Sequence, residues 1–258
     1  MTTEDPANLD HHDRGAAGHD RIVMVHGFTQ TSACWSPFDD ALAVHHRLRL
    51  VDAPGHGRSG HRAAGMAEAA RLLGVAGEQA TYLGYSMGGR IALRLALDTP
   101  ELVTGLVLIG ASPGLADPDE RAARRLRDDA LAERLENVGL VAFVDEWLAQ
   151  PLFAGLTAET AHRSERLGNT VASLAASLRA LGPGTQEPLW ERLCELTMPV
   201  LLVVGSLDQK FTAIAEQMQS RIGTNAEVAR IDHAGHTAHL EQPARTADVV
   251  GAWLRRTR

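Results

Sequence analysis

The sequence predicts an α/β fold in which a mostly parallel sheet, flanked by helices, carries an inserted helical cap. Three observations predict it. Short apolar runs at 21–25, 48–51, 80–83, 106–109, 199–204 and 226–231 are separated by stretches of helical period. That is the pattern of parallel strands joined by right-handed crossovers. A serine between glycines, Gly84-Tyr85-Ser86-Met87-Gly88-Gly89, stands where the third run gives way to an apolar helix. Finally, 118–181 is helical in period, rich in Ala, Arg, Glu and Leu, and falls between two strands of one sheet. Such an insertion reads as a cap over the strand C-termini, the edge where open α/β sheets bind ligands.

Composition sets the bounds. A chain of 258 residues holds one large domain with an insertion and an ample core. With 25 Lys plus Arg against 32 Asp plus Glu, the net charge of −7 disfavours a nucleic-acid or anionic-membrane surface. An anionic substrate must therefore be held by local arginines. Cys34 and Cys194 make neither a disulfide framework nor a metal-ligand spacing. No long apolar run or signal-peptide core is seen, so a cytoplasmic protein is expected.

In chain order, 1–20 is polar and acidic, with His11, His12 and His19, and is expected to be a disordered, solvated tail. The core is expected at 21–112 and 191–258, and the cap at 113–190. The first core strand, 21–25, ends in His26-Gly27-Phe28, and the second runs into Asp52-Ala53-Pro54-Gly55-His56-Gly57-Arg58-Ser59. This glycine-rich loop lacks the Lys-Ser/Thr ending of a P-loop and the G-x-G-x-x-G spacing, so it reads as a structural turn. A short helix is expected at 66–73. The serine elbow follows, and its turn is so tight that its neighbours must be nearly free of side chains. The strand at 199–204 ends in Gly205-Ser206-Leu207-Asp208, and the last strand leads to Asp232-His233-Ala234-Gly235-His236.

The order Ser86, Asp208, His236 at three strand ends is that of α/β-hydrolases. Histidine titrates near neutrality and can take the serine proton. A buried aspartate fixes its tautomer and stabilises the imidazolium. The backbone N–H groups of Phe28 and Met87 would hold developing oxygen charge. His236 is preferred to His233 and His239 because Gly235 lets its loop fold over the serine; the other two read as packing or rim residues. Asp232 is the rival acid, and His56 reads as a turn residue. Esterases, thioesterases, C–C hydrolases and some lyases share this constellation, which does not choose among them.

Beyond these common pieces, narrower ones resemble a single family from about Ile22 to Leu254. They are the elbow extended to Arg90, Ser112-Pro113-Gly114-Leu115 with Glu120-Arg121-Ala122-Ala123-Arg124, Phe143-Val144-Asp145-Glu146-Trp147 with Pro151-Leu152-Phe153-Ala154, Leu207-Asp208-Gln209-Lys210-Phe211, and Ala234-Gly235-His236-Thr237-Ala238-His239-Leu240-Glu241-Gln242-Pro243. They resemble the 2-succinyl-6-hydroxy-2,4-cyclohexadiene-1-carboxylate synthases (MenH) of menaquinone biosynthesis. The resemblance implies a cofactor-free, metal-free lyase that eliminates pyruvate from 2-succinyl-5-enolpyruvyl-6-hydroxy-3-cyclohexene-1-carboxylate. Its serine, activated by the triad, would remove a ring proton, with no acyl-enzyme and no water consumed. It further implies Arg90, Arg124 and Arg166 as partners of the substrate's three carboxylates, and Tyr85 and Trp147 as pocket walls. Guanidinium forks suit carboxylates because two N–H groups meet two oxygens. Pro183 and Glu187 depart from the family's usual Gly-Thr-Gly-x-Gln-Pro at the cap exit. The partner expected is a small polycarboxylate, with no nucleic acid and no membrane, and the chain a monomer or small homo-oligomer. The alternatives are a serine esterase or thioesterase, a C–C bond hydrolase, and, in another class, a non-catalytic ligand-binding protein.

Overall fold

The computed structural model describes residues 8–15, 21–60 and 64–257. One sheet contains β1 (His11–Gly15), β2 (Arg21–Val25), β3 (Arg47–Val51), β4 (Ala80–Tyr85), β5 (Val103–Ile109), β6 (Val200–Gly205) and β7 (Ala226–Ile231). The spatial order is β1-β3-β2-β4-β5-β6-β7. The strands from β2 to β7 pair in parallel, and β1 runs antiparallel along β3. The helices are α1 (Phe38–Ala43), α2 (Met66–Gly77), α3 (Met87–Asp98), α4 (Pro118–Leu148), α5 (Arg163–Arg166), α6 (Val171–Leu181), α7 (Gln209–Ile222), α8 (Ala238–Glu241) and α9 (Pro243–Arg256).

The inner strands β2, β4, β5 and β6 read as largely apolar runs because both faces of the sheet are covered there. Val23 and Val25 of β2 face the layer of α2, α3 and α7, which supply Leu73, Ile91 and Met218. Ile22 and Met24 face the opposite layer, with Phe38 of α1 and Val250 and Trp253 of α9. Strand interiors therefore carry β-branched and leucine side chains on both sides. No helix of the described residues is long and apolar enough to cross a membrane.

The expected solvated tail is corrected by β1. His11–Gly15 form an edge strand, and Leu9 just before it is buried. Its sequence is polar, so ion pairs and ladder bonds fasten it in place of apolar side chains. Asp13 accepts from Arg47 and Arg49 of β3, and Arg14 donates to Asp39 and Asp40 of α1. The rest of that expected tail, 1–7 and 16–20 with His19, lies outside the described residues. The helix expected at 66–73 runs on to Gly77, and β5 begins earlier than expected, at Val103.

Between β5 and β6 lie α4, α5 and α6. Asp117 caps α4 by accepting from the Glu120 N–H, and α4 breaks at Gly139, where φ is 79°. A Thr170–Ser173 capping box starts α6. The two long helices share their own small core of Ala132, Leu135, Phe143, Leu174, Ala175 and Leu178, against which Phe28 and Trp147 pack. Because the strands are parallel, the turns after β2, β4, β5 and β6 all emerge at one sheet edge, beneath these helices.

Candidate active site

At the end of β4, Ser86 has φ 50° and ψ −108°, a conformation that side-chain-bearing residues rarely adopt. The glycines around it are sterically required. A Cβ on Gly84 would lie 2.5 Å from the Gly88 carbonyl oxygen, and one on Gly88 would lie 2.1 Å from that of Val25. The Ser86 N–H donates to the Ile109 carbonyl at 2.9 Å, which ties the strained turn to β5.

Asp208 follows β6 and caps α7, accepting from the Phe211 N–H through Oδ1 at 3.1 Å. Its Oδ2 faces His236 Nδ1 at 2.9 Å, and His236 Nε2 lies 3.3 Å from Ser86 Oγ. An ionised carboxylate can only accept, so Nδ1 carries the proton and Nε2 is left free to accept from the serine hydroxyl. Burial works to raise the Asp208 carboxyl, but the bonds from His236 and Phe211 outweigh it and hold it below the usual carboxylate range. The rings of Phe211 and Tyr85 flank the imidazole, with centroids at 4.5 Å and 5.5 Å.

The rival assignments separate clearly. Asp232 is exposed and pairs with Arg245 at 2.6 Å, away from the imidazole. His233 is exposed at φ 59°, whereas His239 is buried among Trp35, Phe38 and Tyr85. His56 is buried beside His26 and Phe28, and its Nδ1 lies 3.1 Å from the Pro54 carbonyl.

A cavity of about 330 Å³ opens above the serine. Phe28, Tyr85, Ser86, Met87, Arg90, Arg124, Trp147, Arg166, Asp208 and His236 all line it, so the structure brings every candidate residue to one place. Met87 is the first residue of α3, where the helix leaves its N–H unpaired, and the Phe28 N–H is likewise outside the backbone hydrogen bonds of the described residues. Phe28 stacks edge-on against Trp147 at 5.1 Å, joining the loop after β2 to the cap.

The arginines are set differently. Arg90 is buried, donating through Nη1 to Gln186 Oε1 at 2.8 Å and through Nη2 to the Leu181 carbonyl at 2.7 Å. Burial, with Arg124 nearby, lowers its pKa to about 10 against the weaker pull of Asp128. Arg166 donates through Nε to the Ala161 carbonyl at 2.8 Å and through Nη1 to Thr29 Oγ1, while its buried Nη2 has no partner. Burial lowers its pKa as well. Among the described residues neither guanidinium forms an ion pair with a carboxylate. Arg124 does, with Asp128 at 2.7 Å.

Sequence reasoning missed four contributors. Lys210 lines the cavity, two residues past Asp208. Gln186 holds Arg90, and Asp128 holds Arg124. Glu241 staples the histidine loop, accepting from the Gly235 N–H at 2.7 Å, the Thr237 N–H at 3.0 Å and the Thr237 hydroxyl at 2.6 Å. Lys210, Glu241 and Gln186 lie in stretches that resemble the family, with no role read for them from the sequence, and Asp128 shows only its i, i+4 spacing from Arg124.

The sequence matches the alpha/beta hydrolase family over residues 22–249. The 2-succinyl-6-hydroxy-2,4-cyclohexadiene-1-carboxylate synthase of Salmonella newport (strain SL254) is 36% identical over 260 residues, covering 95% of this chain and 97% of that protein. A Bacillus subtilis (strain 168) protein provisionally given the same name is 35% identical over 256 residues, with 94% and 93% covered. The solved structure of MenH from S. aureus aligns at a TM-score of 0.87 and 30% identity, over 96% of this chain and 98% of that one. The chain belongs to the 2-succinyl-6-hydroxy-2,4-cyclohexadiene-1-carboxylate synthase family of alpha/beta hydrolases.

Proposed function

We propose that the protein is a lyase that eliminates pyruvate from 2-succinyl-5-enolpyruvyl-6-hydroxy-3-cyclohexene-1-carboxylate, giving 2-succinyl-6-hydroxy-2,4-cyclohexadiene-1-carboxylate in menaquinone biosynthesis. One observation carries the reading beyond the names of the relatives. Two buried guanidinium groups, Arg90 and Arg166, share a cavity with the serine–histidine pair and have only neutral partners. Unbalanced buried cations are costly. An anionic ligand that fills the cavity supplies the missing charge.

In this reading His236 Nε2 takes the Ser86 proton, and the serine oxygen removes a ring proton from the substrate. The freed electron pair forms a double bond at the deprotonated carbon, the ring's existing double bond shifts toward the carbon bearing the leaving group, and the enolpyruvyl oxygen is expelled as the enolate of pyruvate. The proton held on the imidazolium restores neutrality to the products. Asp208 keeps Nδ1–H in place throughout and stabilises the imidazolium. The N–H groups of Phe28 and Met87 serve developing oxygen charge beneath the cap. Arg90, Arg124 and Arg166 take the three carboxylates, with Tyr85 and Trp147 as walls.

The ready Ser86–His236 contact also suits a serine esterase, which would use the same hydroxyl as a covalent nucleophile. The two readings part on products. Incubation with the proposed substrate should release pyruvate in step with a new conjugated diene, with no oxygen taken from labelled water. Efficient cleavage of an aryl ester without pyruvate release decides for the esterase.

A further inference from the structure

Asp128 sits in α4, one turn after Arg124, and is 1% exposed, so it is not an ordinary surface partner. Arg124 Nε donates to its Oδ1 at 2.7 Å, and the Gly184 N–H donates to its Oδ2 at 3.0 Å. The chain presses close here: a Cβ on Gly182 would lie 2.5 Å from Oδ2. With Nε held, the two terminal nitrogens of Arg124 are left for a ligand; neither hydrogen-bonds among the described residues. Asp128 itself does not line the cavity.

The same carboxylate reaches the second arginine. Both bonds of Arg90 end on the stretch that Asp128 fastens, on the Leu181 carbonyl and the Gln186 side chain. Gly184 lies between those two anchors, and Pro183, with its restricted φ, stands beside it and lines the cavity. Residues 181–186 are thus gripped by Arg90 from the cavity side and by Asp128 from the cap side. A shift of this stretch moves both acceptors of Arg90 together.

We propose that Asp128 is a positioning residue that aims two cavity arginines at substrate carboxylates, Arg124 directly and Arg90 through residues 181–186. The substrate half of this rests on the function proposed above. Asp128→Asn conserves shape but turns one acceptor into a donor, so it cannot satisfy both Arg124 Nε–H and Gly184 N–H. Misplacement by about 1 Å can cost up to about 10²-fold. Two arginines loosened but not removed should cost kcat/KM on the order of 10-fold, chiefly in KM.

The test is a set of variants, with pyruvate release as one readout and guanidinium NMR resonances of the folded protein as the other. Asp128→Asn should shift the resonances of both Arg124 and Arg90. Its kinetic penalty should shrink in an Arg124→Ala background and vanish in the Arg90→Ala, Arg124→Ala double background. A purely structural role leaves the same penalty in every background and overturns the proposal, as does an unmoved Arg90 resonance. Should the wild type release no pyruvate while both resonances move, the positioning stands and the proposed substrate fails.

Discussion

Replacing Arg166 by Met tests the charge argument at its most exposed point. The guanidinium is 1% exposed, with Nε on the Ala161 carbonyl, Nη1 on the Thr29 hydroxyl and Nη2 unpartnered. If Nη2 and the cationic charge serve a substrate carboxylate, the loss is one charge-assisted hydrogen bond, worth about 1.5–3 kcal/mol. At about 1.4 kcal/mol per decade, kcat/KM should fall roughly 10- to 150-fold. Stability responds with mixed sign. The Thr29 and Ala161 oxygens each lose a donor, at about 1–3 kcal/mol apiece when left dry. Against that, an unbalanced buried charge disappears. The melting temperature therefore serves as a check of folding, and the decision rests on steady-state pyruvate release with KM and kcat resolved. A folded Arg166→Met within threefold of wild type would refute the claim that this cation serves the substrate. Arg166→Lys should fall between the two, since it restores charge without the fork.

Three further outcomes follow from the geometry. Ser86→Ala should fold and lose about 10²–10⁴-fold in pyruvate release, the usual scale of general-base catalysis; a near-wild-type rate removes the serine from the chemistry. Asp208→Asn should lose comparably, while Asp232→Asn, which only breaks the exposed pair with Arg245, should stay near wild type; the reverse ranking means another acid serves His236. The hydrogen bond from Arg49, with that from Arg47, outweighs burial and holds the Asp13 carboxyl well below its ordinary range. Its contribution to β1 is therefore complete above the unfolded pKa of about 3.9 and is lost as pH falls through the lower folded value. Hydrogen exchange across 11–15 should rise only at the acid end in wild type, and already at neutral pH in Asp13→Asn; protection unchanged by that substitution would show that the ladder alone holds the strand.

The parts of this fold legible in the sequence are those written locally. Apolar runs flanked by turns marked the six parallel strands, and glycines beside Ser86 announced a close approach of backbones, to Gly88 and Val25, before either neighbour was visible. The strand His11–Gly15 stayed hidden because none of its residues is strongly apolar. What holds it is a set of charges on α1 and β3, which no periodicity reveals. Within the site, Asp208 and Asp232 both follow a strand and both stand between Ser86 and His236, so order and strand-end position do not separate them. A carboxylate has to sit beneath the imidazole to orient it, and the fold brings Asp208 Oδ2 to 2.9 Å from His236 Nδ1.

Charge distribution explains why the remaining site residues were harder to see. Much of the arginine content is neutralised near the surface by carboxylates, as in Arg71–Glu68, Arg134–Glu146, Arg163–Asp145 and Arg179–Glu136. Such exposed pairs are worth little to stability. In the linear sequence Arg166 looks no different from these, whereas Arg90 stands next to the apolar runs Ile91-Ala92-Leu93 and Leu95-Ala96-Leu97 of a helix that reads as buried. The fold buries both against carbonyl, amide and hydroxyl oxygens, where the missing counter-charge has a physical cost. In a chain of net charge −7 the long-range field does not draw an anion inward. Capture then depends on a few desolvated donors whose aim must be held by other residues. Gln186, Thr29 and Asp128 do that holding, and their spacings in the chain, 96 residues from Arg90 to Gln186 and 137 from Thr29 to Arg166, show why tertiary structure was needed to find most of them.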